Sequence, residues 1–315
     1  MEEQTSVTAA PRRQLGLARS IAWGILGPIA RQAAHSYIAG PALDDALGVR
    51  HRFASAGVPV TIGYFNWAED SPRAIADHNL AALRALAGTR DYVSIKLPTL
   101  HDAPDLLAEL TQAAAAGGIR LHMDSLQPET ADRTWATIAG LLSGNVNCKL
   151  GFTVAARWRR AVDDVRLARR YPLSIRVVKG EWADPHDPGR DPRAGFLEVI
   201  DELARGAHHV AVASHDGPLA VQALSKLRAA GVSCELELLY GLPMRHSFAI
   251  AQRLKVPVRV YIPFGEAMLR YGVNAILRHP KIALYLAKDF LGSFAGPAAF
   301  ARSLGRVRSG SGPEA

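Results

Sequence analysis

Cysteine is almost missing from this 315-residue chain: Cys148 and Cys234 are its only two, each inside an apolar run. So few thiols exclude a disulfide framework and argue against a thiolate metal site, and they fit buried, reduced side chains in a cytoplasmic protein. No stretch of about 18 apolar residues exists, which excludes a membrane-spanning helix of ordinary length. No GxGxxG turn follows any β-like run, and GFTVAA at 151–156 lacks the spacing, so a dinucleotide-binding open sheet is set aside. Blocks of one charge sign are missing too. The formal net charge is +8, yet basic residues are mixed with acids, as in ARWRRAVDDVRLARR at 156–170. That pattern reads as a solvated helix face rather than a nucleic-acid surface.

What is present points to one large core, with 49% hydrophobic and 21% charged residues. Eight short β-branched runs recur: 58–64, 92–97, 119–124, 146–152, 173–178, 209–214, 234–239 and 258–263. Their starts lie roughly 24 to 36 residues apart, the length of a strand plus a returning helix. Eight such units predict an α/β fold, a (βα)8 TIM-type barrel whose site lies at the C-terminal strand ends. The expected organisation is an N-terminal helical arm over 1–36, a single barrel domain over 37–300 and a disordered tail over 301–315. Arg12-Arg13 ahead of IAWGILGPIA does not read as a twin-arginine signal, because no small-residue cleavage pattern follows. KIALYLAKDFLGSF at 281–294 predicts an amphipathic helix, packed across the barrel or lying on a membrane surface.

The strand ends carry the chemistry. They offer Lys96, Asp124, Arg176 with Lys179, His215 with Asp216, Glu235 and Glu237, and Tyr261. Several charges converging on one barrel mouth indicate a site, where any single one would be a paired structural residue. IRVVKGEW at 175–182 is the sharpest string, with two cations around a Gly180 turn suited to an anionic or electron-rich ligand. VASHDG at 212–217 is a second polar turn that could hold phosphate or ribose hydroxyls. Ser214, His215 and Asp216 are consecutive and point in different directions, so they form no hydrolytic triad. His122, Asp124 and His215 could face a metal, but their Arg and Lys neighbours argue against one, and no metal is expected.

With these residues in view, the chain resembles the proline dehydrogenase family, flavin enzymes built on a distorted eight-fold βα barrel. YIAGPALDDAL at 37–47, YVSIKL, RVVKGEW, VASHD, ELELLYGLP and VRVYIPFG carry the resemblance, which runs from about Tyr37 to Pro280. It implies an oxidoreductase that binds FAD and acts on a CH–NH bond. It places Arg176 beside the flavin's reactive edge and Val178, Lys179 and Gly180 along the cofactor. Ser214, His215 and Asp216 would then reach its diphosphate and ribityl chain. Asp124 would orient the site, Lys96 would be the remaining cation for a carboxylate, and Tyr261, Tyr271 and Leu239 would wall the ring of a small cyclic amine.

The departures matter as much. Asn274 and Ala275 stand where the family carries two adjacent arginines that clamp the substrate carboxylate, and Arg278 stands where it has a glutamate. Trp67 lies near the position of a gate glutamate, Ala155 and Glu237 each replace a glutamine, and Leu126 replaces a further glutamate. Losing a bidentate arginine contact costs about 2–5 kcal/mol. The expected substrate is therefore L-proline held by compensating cations, or a proline-like amine whose carboxylate is absent, masked or tethered to a carrier. A quinone acceptor with peripheral membrane contact would suit the basic, amphipathic termini. The rival readings are a flavin barrel resembling methylenetetrahydrofolate reductases, and an idle barrel serving in binding or assembly.

Overall fold

Each strand core alternates apolar side chains with small, polar or charged ones, and this alternation decides the architecture. The structure, a computed structural model, describes residues 39–144 and 147–267. The N-terminal arm, the 281–294 segment, the tail and the positions Tyr271, Asn274, Ala275 and Arg278 lie outside the described residues.

Eight parallel strands close into a barrel in sequence order. They are β1 (Val60–Tyr64), β2 (Tyr92–Lys96), β3 (Arg120–Asp124), β4 (Leu150–Ala155), β5 (Ser174–Val178), β6 (His209–Ala213), β7 (Cys234–Leu239) and β8 (Val258–Phe264). A helix α1 (Leu43–Ala54) precedes β1, and α2 (Pro72–Leu86), α3 (Pro104–Gly117), α4 (Ala131–Ser143), α5 (Ala161–Ala168), α6 (Pro192–Leu203), α7 (Gly217–Ala229) and α8 (Arg245–Leu254) follow successive strands. The predicted strands all form. The fourth is displaced: Asn147 to Lys149 bend ahead of the ladder, and pairing with β5 runs from Gly151 to Ala155.

Helix starts follow local chemistry. Ser71, Asp191 and Asp216 each cap a helix by accepting a backbone N–H, from Ala74, Arg193 and Leu219. Proline stands at the first or second position of all three helices, where no intrahelical N–H is lost.

Ile62, Val93, Ile95, Leu121, Met123, Phe152, Ile175, Val177, Val210, Val212, Leu236 and Val260 are buried in one cluster with Leu80, Leu83, Leu110, Val165, Phe196, Leu203 and Leu227 of the helices. This apolar shell between barrel and helices is the main core. The alternate positions face the barrel interior, where Thr61, Ser94, His122, Ser174, Arg176, Glu235, Glu237 and Arg259 are all buried. An interior this polar must satisfy its groups internally, because each unpaired one would cost about 1–3 kcal/mol.

Candidate active site

The interior polar groups divide into two layers. The lower layer holds Glu235, which the sequence placed among the strand-end residues. Its carboxylate accepts from Arg259 Nε at 2.7 Å, both side chains are 4% exposed, and the His209 ring lies 3.5 Å away. Arg259 stacks 3.4 Å over the Tyr92 ring. Burial alone would raise the Glu235 carboxyl, but His209 and Arg259 bring it down to about 2. Glu235 lies two residues before Glu237 on the same face of β7, about 7 Å deeper into the barrel. It therefore belongs to a packed plug and not to the mouth.

The upper layer is centred on Arg176. Its Nε and Nη2 donate to the two oxygens of Glu237, each at 2.8 Å, in a bidentate pair. Its Nη1 reaches Asp124 at 3.2 Å, Ser94 at 3.2 Å and Thr153 at 3.3 Å. Ser94 Oγ donates to Asp124 at 2.8 Å, Thr153 Oγ1 donates to the other Asp124 oxygen, and Thr61 Oγ1 donates to Glu237 at 3.0 Å. Burial works against the Arg176 charge, yet Glu237 and Asp124 more than offset it, so its pKa goes up. Arg176 lies 5.1 Å from the Tyr261 ring centre, and that phenol is pushed upward by burial and by Asp124.

Two glycines make room for this layer. A Cβ at Gly63 would collide with Tyr261 Oη, so the tyrosine crosses β1 where no side chain exists. A Cβ at Gly151 would collide with His122 Nδ1. His122 Nε2 pairs with Thr153 Oγ1 at 2.9 Å, and burial followed by the Arg176 charge drives the ring well below its usual range. Its Nδ1 finds no partner among the described residues, which suits a neutral ring.

Lys96 ends β2 beside Asp124 in register. Its Nζ sits 3.4 Å above the Phe65 ring centre, with no carboxylate oxygen within 4.0 Å among the described residues. Burial lowers its ammonium to about 8, a fall that Asp124 opposes and Arg176 reinforces.

Above this floor opens a cavity of about 560 Å3 lined by Phe65, Lys96, Asp124, Arg176, Glu237 and Tyr261 below and by the β4, β5 and β6 loops above. A volume in this range suits a small-molecule or cofactor site. Val178, Lys179, Gly180, Ser214, His215, Asp216 and Leu239 all border the same space, so the structure brings the described catalytic and cofactor candidates together, while Glu235, His122 and Trp67 are not among its lining residues. Gly180 has φ +94°, and a Cβ there would meet Ala155 Cβ and Arg157 Cγ at 3.0 Å each. Lys179 Nζ donates to Asp216 at 2.9 Å, and Arg193 pairs with the same carboxylate at the α7 N-terminus, with Asp191 also close enough to act on Lys179. His215 is committed to the backbone: Leu239 N–H donates to its Nε2 at 2.9 Å, so Nδ1 carries the proton given to Pro243 O at 3.1 Å.

Sequence reasoning passed over three contributors. Ser94, Thr153 and Thr61 are small hydroxyl residues mid-strand, and their only signal was polarity at inward positions. Leu126 and Trp182 line the rim with 37% and 49% of their surfaces exposed, and Leu126 sits at φ +69°, a conformation that costs a branched side chain about 1–2 kcal/mol. Among the described residues no three His, Cys, Asp or Glu side chains converge as metal ligands, and no helix is long and apolar enough to cross a membrane.

No family-level sequence model matches the chain. It is 23% identical over 279 residues to proline dehydrogenase 1 of Bacillus subtilis strain 168, covering 83% of this chain and 91% of that protein. It is likewise 23% identical over 310 residues to a proline dehydrogenase of Deinococcus radiodurans, covering 90% of this chain and 96% of that protein. Among solved structures, it superposes on proline utilization A (PutA) of Bdellovibrio bacteriovorus inactivated by N-propargylglycine with a TM-score of 0.68 and 17% identity, over 84% of this chain. PutA of Corynebacterium freiburgense gives 0.65 and 17% over 95% of this chain. The chain spans 34% and 38% of the length of those two proteins, and the likeness establishes the barrel fold.

Proposed function

We propose that this chain, a divergent relative of the proline dehydrogenases, is a flavin-dependent oxidoreductase that removes hydride from the carbon beside the nitrogen of a small, proline-like amine. The observation that carries this reading is the charge-balanced floor of the cavity, Arg176 and Lys96 against Asp124 and Glu237, beneath loops suited to a flavin.

The loops fit FAD. The Gly180 turn leaves room beside Val178 and Ala155, and Lys179 and Arg193 at the α7 N-terminus offer two cations and the helix's free N–H groups to a diphosphate. Val178, Lys179 and Gly180 would hold the ring, while Ser214, His215 and Asp216 would face the ribityl and diphosphate. FAD, when bound, accepts the hydride.

The residues of the chain perform the rest. An amine must lose its proton before the adjacent C–H can leave as hydride. Lys96 Nζ, lowered to about 8 by burial, can take that proton once it is itself neutral, as pH rises through about 8. Asp124, held by Ser94 and Thr153, fixes the electrostatics beside it. Tyr261 and Leu239 wall the substrate ring, and Phe65 screens Lys96 from water.

The same floor bears on the substrate. The N–H groups of Arg176 are taken by Glu237, Asp124, Ser94 and Thr153, which leaves Lys96 as the described floor cation able to meet a carboxylate. With Asn274 and Ala275 in place of arginines, this favours an amine whose carboxylate is absent, amidated or tethered to a carrier. A quinone at the membrane surface suits the basic termini as acceptor.

The test is an anaerobic visible spectrum of the flavin-loaded protein mixed with L-proline, prolinamide or pyrrolidine. Bleaching by the carboxylate-free amines and not by L-proline is expected. Bleaching by L-proline alone would overturn the substrate assignment, and flavin that no amine bleaches would indicate a binding barrel without turnover. The double substitution Asn274→Arg with Ala275→Arg should raise activity on free proline, and no gain would count against the missing clamp as the cause.

A further inference from the structure

Glu237 does more than fill the barrel. It is 3% exposed, borders the cavity, and takes both Nε and Nη2 of the guanidinium directly beneath the space where the proposed flavin would lie. Thr61 holds the carboxylate from the far side at 3.0 Å, so its orientation is fixed from β1 as well as from β5. A glutamine at this position could hold Arg176 by its carbonyl oxygen but would leave Asp124, at 3.2 Å, as its one carboxylate partner among the described residues. A glutamate adds the second negative charge.

We propose that Glu237 is a positioning residue that neutralises Arg176 and thereby sets a low reduction potential for the flavin held above the pair. The inference rests on the flavin reading given above. Reduction adds negative charge to the flavin, and a cation beneath the ring favours the reduced form, whereas a neutral ion pair leaves that preference small. Arg176 cannot escape the pairing by rotating, because its Nη1 is tied at the same time to Asp124, Ser94 and Thr153. With Asp124 counted, the fixed residues of the floor carry one negative charge, and Lys96, whose charge comes and goes with the amine proton, brings the floor to neutral. A chain built this way would pass electrons to acceptors of modest potential and would not trap its flavin in the reduced state.

The experiment is an anaerobic redox titration of the flavin-loaded full chain against a dye, for wild type, Glu237→Gln and Glu237→Asp. Glu237→Gln is expected to raise the ratio of reduced to oxidised flavin at fixed poise by tenfold or more, which is about 30 mV upward for a two-electron couple. Glu237→Asp keeps the charge and should stay within about threefold of wild type, or about 15 mV. A purely structural role would move both variants alike or neither, and either result overturns the proposal. If Glu237→Gln fails to fold, Thr61→Val removes a hydrogen bond from the carboxylate while keeping its shape and charge. It should lower the potential by a few-fold in the same ratio, and an unmoved potential would overturn the proposal. Wild-type chain that takes up no flavin at all would overturn the parent reading, an outcome distinct from bound flavin with an unshifted potential.

Discussion

Two buried arginine–glutamate pairs stand one above the other in the barrel, and nearly the same chemistry serves different ends. Arg259 and Glu235 form the lower pair, 2.7 Å apart, sealed by Tyr92 and His209. Arg176 and Glu237 form the upper pair, 2.8 Å apart, under the open cavity. The lower arginine spends its remaining hydrogen bonds on backbone carbonyls of Val60 and Arg90, which holds strands together. The upper arginine spends its own on Asp124, Ser94 and Thr153, which arranges a polar surface for a ligand. Depth, and the partners beyond the pair, decide which one supports the fold and which one supports the site.

The sharpest way to break this comparison is to remove each arginine. Arg259→Leu leaves Glu235 buried and unpaired, and a loss of about 3–5 kcal/mol is expected in urea unfolding. Acid should tell the same story. Glu235 is held at about 2, below its ordinary 4.5, so its contribution is present above pH 4.5 and lost as pH falls toward 2. The Arg259→Leu variant should show a blunted loss over that window. Arg176→Leu breaks the same kind of bond, but the cavity lets water reach Glu237, so a smaller loss of about 2 kcal/mol is expected, with amine oxidation abolished. Equal losses for the two variants would mean that the cavity gives the upper pair no relief.

Lys96→Met separates site from fold more finely. Amine-dependent bleaching should slow by about 10²–10⁴-fold, while stability at neutral pH should not fall. The sign follows from the lysine being pushed from 10.5 to about 8. Its burial penalty is present below pH 8 and is relieved as pH climbs from 8 to 10.5, so wild type gains stability over that range and the methionine variant does not. Bleaching by wild type should rise with pH through about 8. The smallest expected effect is at the rim: Leu126→Gly relieves the left-handed backbone at φ +69° and should leave stability within about 1 kcal/mol of wild type, or slightly above it.

The β-branched runs and their spacing made the barrel readable from sequence, because parallel strands covered by helices must show apolar residues on one face. Strand β4 was read four residues early, since Val146 to Lys149 look extended in isolation and only the ladders to Leu121 and Ser174 fix the true start. Lys96, Asp124, Arg176 and Tyr261 were visible as polar breaks in apolar strands. Their partners were not. Whether Glu235 or Glu237 meets Arg176 depends on barrel shear, which no local pattern records, and the hydroxyls of Thr61, Ser94 and Thr153 acquire meaning only once eight strands converge. The positions at 274, 275 and 278 rest on sequence resemblance alone, lying outside the described residues.

The hydrogen bond from Arg259 Nη1 to Val60 O joins residues 199 apart in the chain, along the seam where β8 pairs with β1 from Val60 to Tyr64. A tie that long cannot form until β8 has been made, so the inner positions of β1 stay without this partner until the barrel's last strand arrives. Closing so large a loop sets a high contact order, and the last event of folding is expected to be slow. The polar lining that later serves the cavity also keeps the unfinished barrel from presenting an apolar inner wall to its neighbours while it waits.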